Sequence, residues 1–135
     1  VNYVFSNSIS GKEANKSFEN KVKNLENEVN KFTKNINNEK DKLVKQKNIL
    51  SDDEFNKKFT EIDNKIKEFN KKIKIENDEI TKLKKKIRSN FSEELRIILT
   101  EYSSKNSIQL IIKQENVLIG SNKINITKEI LKVIR

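Results

Sequence analysis

Apolar residues recur at alternating spacings of three and four along two stretches of the chain, and the pattern breaks between Leu50 and Phe55. Such spacing is typical of the a and d positions of a heptad repeat, the narrow apolar stripe of a coiled coil. It predicts two long helices folded into an antiparallel hairpin with its tip at residues 51–54. The apolar positions are Phe18, Val22, Leu25, Val29, Phe32, Ile36, Leu43 and Leu50, then Phe55, Phe59, Ile62, Ile66, Phe69, Ile73, Ile80, Leu83 and Ile87.

Placing Leu50 opposite Phe55 fixes a register for this hairpin. In that register Phe32 faces Ile73, and the polar residues within the stripe face apolar ones. Each carboxylate in the stripe must therefore reach solvent or a lysine, and we expect a thinly packed arm that bends. These interrupting residues are Glu39, Gln46 and Glu76.

Capping signals mark where the helices begin. Ser51 and Glu54 form the S-x-x-E pattern of a capping box, and Ser10 with Glu13 repeats it near the N-terminus. Residues 1–10 predict a short strand or a single helical turn. We expect the first long helix over residues 11–50 and the second over residues 52–103.

The pattern changes from helical to β-like after residue 107. Residues 108–112 and 117–119 are rich in β-branched side chains and predict two short strands with apolar residues on both faces. Two short strands are not stable alone, so they need partners from before Val1 or from other copies, and we favour oligomerisation. The residues predicted to make that contact are Ile108, Leu110, Ile112, Val117 and Ile119.

A last helix is predicted over about residues 128–134, with Thr127 as its N-cap and Ile126 packing on Leu131 as a hydrophobic staple. The two glycines, Gly11 and Gly120, fall at predicted joints between elements.

Composition favours an extended architecture. Only 33% of the residues are hydrophobic whereas 36% are charged, and proline is absent. A two-in-seven apolar stripe suffices for long, thin helices, although full disorder is the competing interpretation of such a composition. The sustained periodicity favours a mostly α fold. We expect a coiled-coil hairpin over residues 15–99 mounted on a small β-containing oligomerisation body formed by residues 1–14 and 100–135.

The net charge of +9 predicts attraction to anionic partners, which include nucleic acid, anionic lipid and acidic polypeptides. The chain has no cysteine or histidine. It offers no nucleophile–base pair and no glycine-rich phosphate loop, so the sequence predicts neither an enzyme nor a cofactor or metal site.

Candidate contact residues lie along the predicted second helix. The acidic residues 52–54 are interpreted as helix-start features. Phe55 and Phe59 lie near the tip, where packing in the hairpin core competes with contact to another chain. The lysines have a second interpretation as an ordinary solvated surface. The candidates for diffuse contact with a bound chain are Phe55, Lys57, Lys58, Phe59, Lys71, Lys72, Lys84, Lys85, Lys86 and Arg88.

The order of these parts resembles the Skp (OmpH-like) family of periplasmic chaperones. The resemblance rests on the hairpin followed by the strand sequences at 108–113 and 116–119, and on Asn-Ile-Thr-Lys-Glu-Ile-Leu at 125–131. Ser-Gly-Lys at 10–12 resembles the start of the family's first long helix. Asn125 and Lys113 stand where the family usually has Asp. The sequence begins at Val1 rather than Met, so we expect a processed chain or a fragment. Val1 falls at the end of the family's first strand, so the resemblance implies that this strand is missing or truncated.

The resemblance implies a homotrimer whose short strands form a Skp-like trimerisation body, with three hairpins that enclose a cavity. It implies a periplasmic holdase that binds unfolded outer-membrane proteins without ATP. Contact with anionic lipid or lipopolysaccharide stays open. One alternative is a structural coiled-coil adaptor for a defined partner. Specific binding of nucleic acid has only the charge in its favour, with no recognition motif.

Overall fold

The structure is a computed structural model that describes residues 1–134. These residues contain helices α1 (Asn2–Asn7), α2 (Ile9–Lys45), α3 (Asp52–Lys105) and α4 (Thr127–Val133), with 3-10 helices at Gln114–Asn116 and Asn122–Ile124. The fold is mostly helical, as predicted. It divides into two compact units: residues 19–82, here the hairpin unit, and residues 1–18 with 83–134, here the terminal unit.

The hairpin unit consists of residues 19–45 of α2 and residues 52–82 of α3, joined by a turn at residues 46–51. Its core is a narrow seam because each helix contributes only an a/d stripe. The central buried residues are Ile36, Leu43 and Ile62, and Leu50 and Phe55 pack against them at the tip. The helix pair confirms the predicted hairpin, but α2 ends at Lys45 rather than at residue 50, and the turn spans residues 46–51 rather than 51–54. Hydrogen bonds from the Ile49 and Leu50 N–H groups to the Gln46 carbonyl close this turn.

In the middle of this unit, Phe32 stacks on a residue one turn away from the one that the predicted register placed opposite it. Phe32 stacks face to face on Phe69, with ring centroids 3.8 Å apart and an interplanar angle of 8°. The predicted partner of Phe32 was Ile73, four residues further along α3. Four residues are about one helical turn, so Phe69 and Ile73 are successive positions of the same stripe, and both line the space beside Phe32. Hydrophobic spacing alone does not say which of the two the Phe32 ring stacks on.

The carboxylates that interrupt the stripe reach lysines, as expected. The Lys65 ammonium lies 2.8 Å from the Glu39 carboxylate on the opposite helix. Lys72 pairs with Glu28 across the hairpin and lies 3.6 Å from Glu76 on its own helix. These side chains are about half exposed, so water screens both pairs and each adds little to stability.

The terminal unit has a broader core because several elements meet in it. Its buried residues come from α1, from the C-terminal part of α3, and from α4 with the residue after it. Ile130 on α4 is the most deeply buried, at 2% exposure. The core residues are Val4, Phe5, Phe91, Leu95, Ile130 and Ile134.

The joint between α1 and α2 is tighter than the sequence suggested. Residues 2–7 form a helix, and α2 begins at Ile9 rather than near residue 11. The predicted N-cap Ser10 is therefore wrong: the buried Ser8 hydroxyl accepts from the Gly11 N–H at 3.1 Å and donates to the Phe5 carbonyl at 2.9 Å. A Cβ at Gly11 would lie 1.7 Å from the Phe5 carbonyl oxygen, so only glycine fits this approach.

The predicted strands are not confirmed. Residues 108–113 and 117–121 have no regular secondary structure, and the part of the chain that the structure describes contains no strand. A strand needs a partner for its backbone N–H and C=O groups, and a single chain supplies none here. The β-containing body remains a prediction. The segment follows the C-terminal cap of α3. In this cap Ser107 adopts the left-handed conformation, with φ 53°, and the Ile108 N–H donates to the Ser103 carbonyl at 2.9 Å.

The start of α4 also differs from the prediction. Thr127 is the first helical residue rather than the cap, and its N–H donates to the Asn125 side-chain oxygen at 3.0 Å. Asn125 therefore supplies the capping oxygen that we assigned to Thr127, because an amide oxygen reaches the N–H two residues on as well as a carboxylate does.

Candidate functional site

The tip of the hairpin is a capping box. The Ser51 N–H and hydroxyl donate to the Glu54 carboxylate at 3.1 and 2.9 Å, and the Glu54 N–H donates to the Ser51 hydroxyl at 3.3 Å. The hydrogen bond from the Ser51 N–H, followed by that from its hydroxyl, lowers the pKa of Glu54 below its ordinary value. The predicted role of Glu54 as a helix-start residue is confirmed.

The two phenylalanines near the tip differ in exposure. Phe55 is half-buried against the seam, whereas Phe59 is 56% exposed. Lys57 and Lys58 are exposed on the same turn of α3. Of the tip candidates, Phe59 and the two lysines are thus accessible to another chain, and Phe55 serves the hairpin itself.

Lys71 and Lys72 lie side by side on α3 but have different surroundings. Lys71 is exposed. The hydrogen bond to Glu28 raises the pKa of Lys72, and the nearby Glu76 acts in the same direction. Lys72 therefore bridges the two helices in this structure, whereas Lys71 forms no ion pair with any residue that the structure describes.

The basic run at residues 84–88 lies in the terminal unit. Lys84, Lys85 and Lys86 are exposed. The Arg88 guanidinium lies 5.7 Å from the centroid of the Phe5 ring, and Phe5 meets Phe91 edge to face at 4.9 Å and 82°. Arg88 therefore covers the aromatic edge of the core through a cation–π contact, a structural role that sequence alone did not reveal.

The segment after α3 exposes apolar side chains that the sequence assigned to oligomerisation. Leu110 and Ile112 are 75% and 54% exposed, and Leu118 and Ile119 are 97% and 91% exposed. Ile108 and Val117 are half-buried. A cluster of exposed aliphatic side chains of this size usually marks a surface that contacts another molecule.

Residues 1–134 match the protein-family model described as Outer membrane protein (OmpH-like). The chain belongs to the OmpH-like family. This family is known for periplasmic chaperones of outer-membrane proteins, which are not enzymes. The comparison with curated proteins found no match to this chain. Within the described part of this OmpH-like chain, no helix has the length and apolar character to cross a membrane.

The hairpin unit of this OmpH-like protein also contains a groove that sequence reasoning missed. The groove has a volume of about 310 Å³ and lies beside the Phe32–Phe69 stack. Its polar rim includes Thr33, Lys40 and Asn70. These residue types are common all along the chain, so the sequence gives no sign that they line one groove together with apolar residues of the seam.

Proposed function

We propose that this protein is an ATP-independent holdase that binds unfolded outer-membrane proteins in the periplasm and prevents their aggregation. The family match over residues 1–134 carries the proposal, since the family is known for this class of chaperone. The long two-helix hairpin supports it, because a thin seam interrupted by carboxylates lets an arm adapt to clients of different size.

The proposed assembly is a homotrimer. Residues 1–14 and 100–135 would form the body, and residues 15–99 the arms around a client cavity. The exposed residues Leu110, Ile112, Leu118 and Ile119 support this arrangement because pairing with other copies would cover them and satisfy their backbone. Client contact would be diffuse and would involve the exposed Phe59, Lys57 and Lys58 at the tip.

The holdase activity is tested by diluting a denatured outer-membrane barrel protein with and without this protein and following light scattering. Suppression of scattering at a threefold molar excess, unchanged by added ATP, is the expected result. Scattering that is the same with and without the protein would remove the proposal. Suppression limited to one defined partner would instead favour the adaptor.

The assembly is tested by mass measurement in solution, with two matched substitutions. Three chains of 15.9 kDa give about 48 kDa. Ile119→Lys places a charge in the proposed contact and should release monomers. Ile49→Lys makes the same change at the tip, where Ile49 is 83% exposed, and should leave the trimer intact. Equal masses for the two variants would contradict the assigned surface.

A further inference from the structure

The two sides of the hairpin unit differ. In the heptad register, Glu28, Lys65 and Lys72 flank the apolar seam on one side. On that side, ion pairs cross between the helices, from Lys72 to Glu28 and from Lys65 to Glu39. We call this flank of the hairpin unit the closed side, since the charges that border the seam there are paired.

The other flank is open. There the seam is bordered by Thr33, Asn37, Lys40 and Asn70, which together with apolar residues line the groove of about 310 Å³. Three of these residues are uncharged, and the fourth, Lys40, makes no ion pair within the described part of the chain. The apolar floor of the seam, including both stacked phenylalanine rings, is accessible from this side.

The lining of the groove determines what it suits. The Phe32 and Phe69 rings offer edges and faces against which a third aromatic ring packs favourably. The Asn37 and Asn70 amides offer donors and acceptors that match those of an extended backbone. Lys40 is the one charged residue in the lining, so the groove attracts an anionic neighbour. The volume is at the small end for ligand pockets and fits a side chain rather than a whole cofactor.

We propose that this groove binds an extended polypeptide segment in which an aromatic side chain is followed closely by an acidic one. The ring packs beside the Phe32–Phe69 stack, and the carboxylate pairs with Lys40. The proposal rests on the proposed holdase function and adds a binding site and a sequence preference to it. The aromatic–acidic segments of a client bind to the open side of the hairpin unit.

The chain contains no tryptophan, so a tryptophan-containing peptide can be followed without background. The probe is a ten-residue peptide with one central Trp next to two Asp residues, titrated with this protein. A saturable blue shift of the Trp emission is expected as the ring leaves water. Lys40→Glu should weaken binding about threefold to tenfold. It should strengthen binding of a second peptide in which Lys replaces both Asp residues.

Lys34→Glu is the matched control, because it makes the same charge change on an exposed position of α2 outside the groove lining. It should change neither affinity by more than about twofold. Lys40→Gln, which removes the positive charge without adding a negative one, replaces Lys40→Glu if circular dichroism shows loss of helicity. It should weaken binding of the acidic peptide without strengthening that of the basic one.

Three results would overturn the proposal: no blue shift with the native protein, equal losses for Lys34→Glu and Lys40→Glu, or an altered solution mass of Lys40→Glu, which would mean that a second copy covers the groove. The light-scattering assay separates this failure from that of the holdase function. A native protein that suppresses aggregation but does not shift the peptide emission keeps the proposed function and loses only the groove.

Discussion

The terminal unit and the hairpin unit differ most in charge. Counted over the sequence, residues 1–18 and 83–135 carry 13 Lys and Arg against six acidic residues, whereas residues 19–82 carry 16 against 14. Most of the net charge of +9 thus belongs to the terminal unit. Four of the basic candidates for contact with a bound chain, Lys84, Lys85, Lys86 and Arg88, lie in the terminal unit and not in the hairpin unit. The net charge of a chain therefore does not locate a binding surface until the structure shows where the charged residues lie.

The units also differ in packing. The terminal unit collects apolar residues from α1, α3 and α4 around one centre, whereas the hairpin unit has only the seam between two helices. A side chain enclosed by three elements has few ways to relax when it is truncated, but a two-helix seam closes partly over the gap. We therefore expect the same substitution to cost more in the terminal unit.

Truncating one isoleucine in each unit gives the largest expected contrast. Ile130→Ala in the terminal unit should lower the free energy of unfolding by about 4 kcal/mol, and Ile62→Ala in the hairpin unit by about 2 kcal/mol. Ile130 is 2% and Ile62 6% exposed, so the comparison tests the surroundings more than the burial. Urea unfolding followed by circular dichroism measures both. Equal losses would mean that the seam is as rigid as the three-element core.

The α1–α2 joint gives the next largest effect. Gly11→Ala places a methyl group inside the Phe5 carbonyl, so α1 must move, and we expect a loss of about 3 kcal/mol. Gly120→Ala is the control, since its Cβ would meet only the ends of the Val117 and Ile124 side chains at 3.1 and 3.2 Å. Its cost should stay below about 1 kcal/mol. Thermal unfolding measures the loss of stability in both variants. Equal losses would mean that replacing any glycine has this cost, whatever the distance to the Phe5 carbonyl.

Two serine caps compare the units at their turns. Ser8→Ala removes a buried hydroxyl that both donates and accepts, and should lower the free energy of unfolding by about 2 kcal/mol. Ser51→Ala removes the exposed cap of α3 and should lower it by about 1 kcal/mol, since water replaces part of the lost bond. The ratio of the two losses is the measurement, and a larger loss at Ser51 would contradict the contrast between the units.

These residues also show how far the sequence reaches. The period of the apolar residues predicted the hairpin, and the spacing of Ser51 and Glu54 predicted its cap, because both are local patterns. The Phe32–Phe69 stack, the Phe5–Arg88 contact and the groove depend on which turns of distant helices meet. Adjacent registers differ by one turn and bury similar residues, so no local pattern selects between them.

The β-like segment shows the opposite limit. Its composition predicts strands, but strand formation depends on a partner for each backbone group, and the described chain provides none. Ser10 with Glu13 fits the S-x-x-E pattern, whereas Ser8 has Gly11 three residues on, so the local pattern selects the wrong serine. The close approach that Gly11 permits decides between them, and that approach is a tertiary feature.

Glu54→Gln should give the smallest effect and the only one that depends on pH. The folded pKa of Glu54 lies below its ordinary value of 4.5, because the ionised carboxylate accepts from Ser51. Its contribution to stability is therefore fully present above pH 4.5 and is lost as the pH falls through the lowered pKa. Glu54→Gln keeps the Ser51 hydroxyl as a cap, so its cost should be smaller than that of Ser51→Ala. The difference in melting temperature between native protein and variant should be constant near neutral pH and shrink in acid. Glu61→Gln, on the same helix outside the cap, corrects for the loss of one carboxylate. A difference for Glu54→Gln that persists unchanged in acid would show that the cap does not depend on the charge of Glu54.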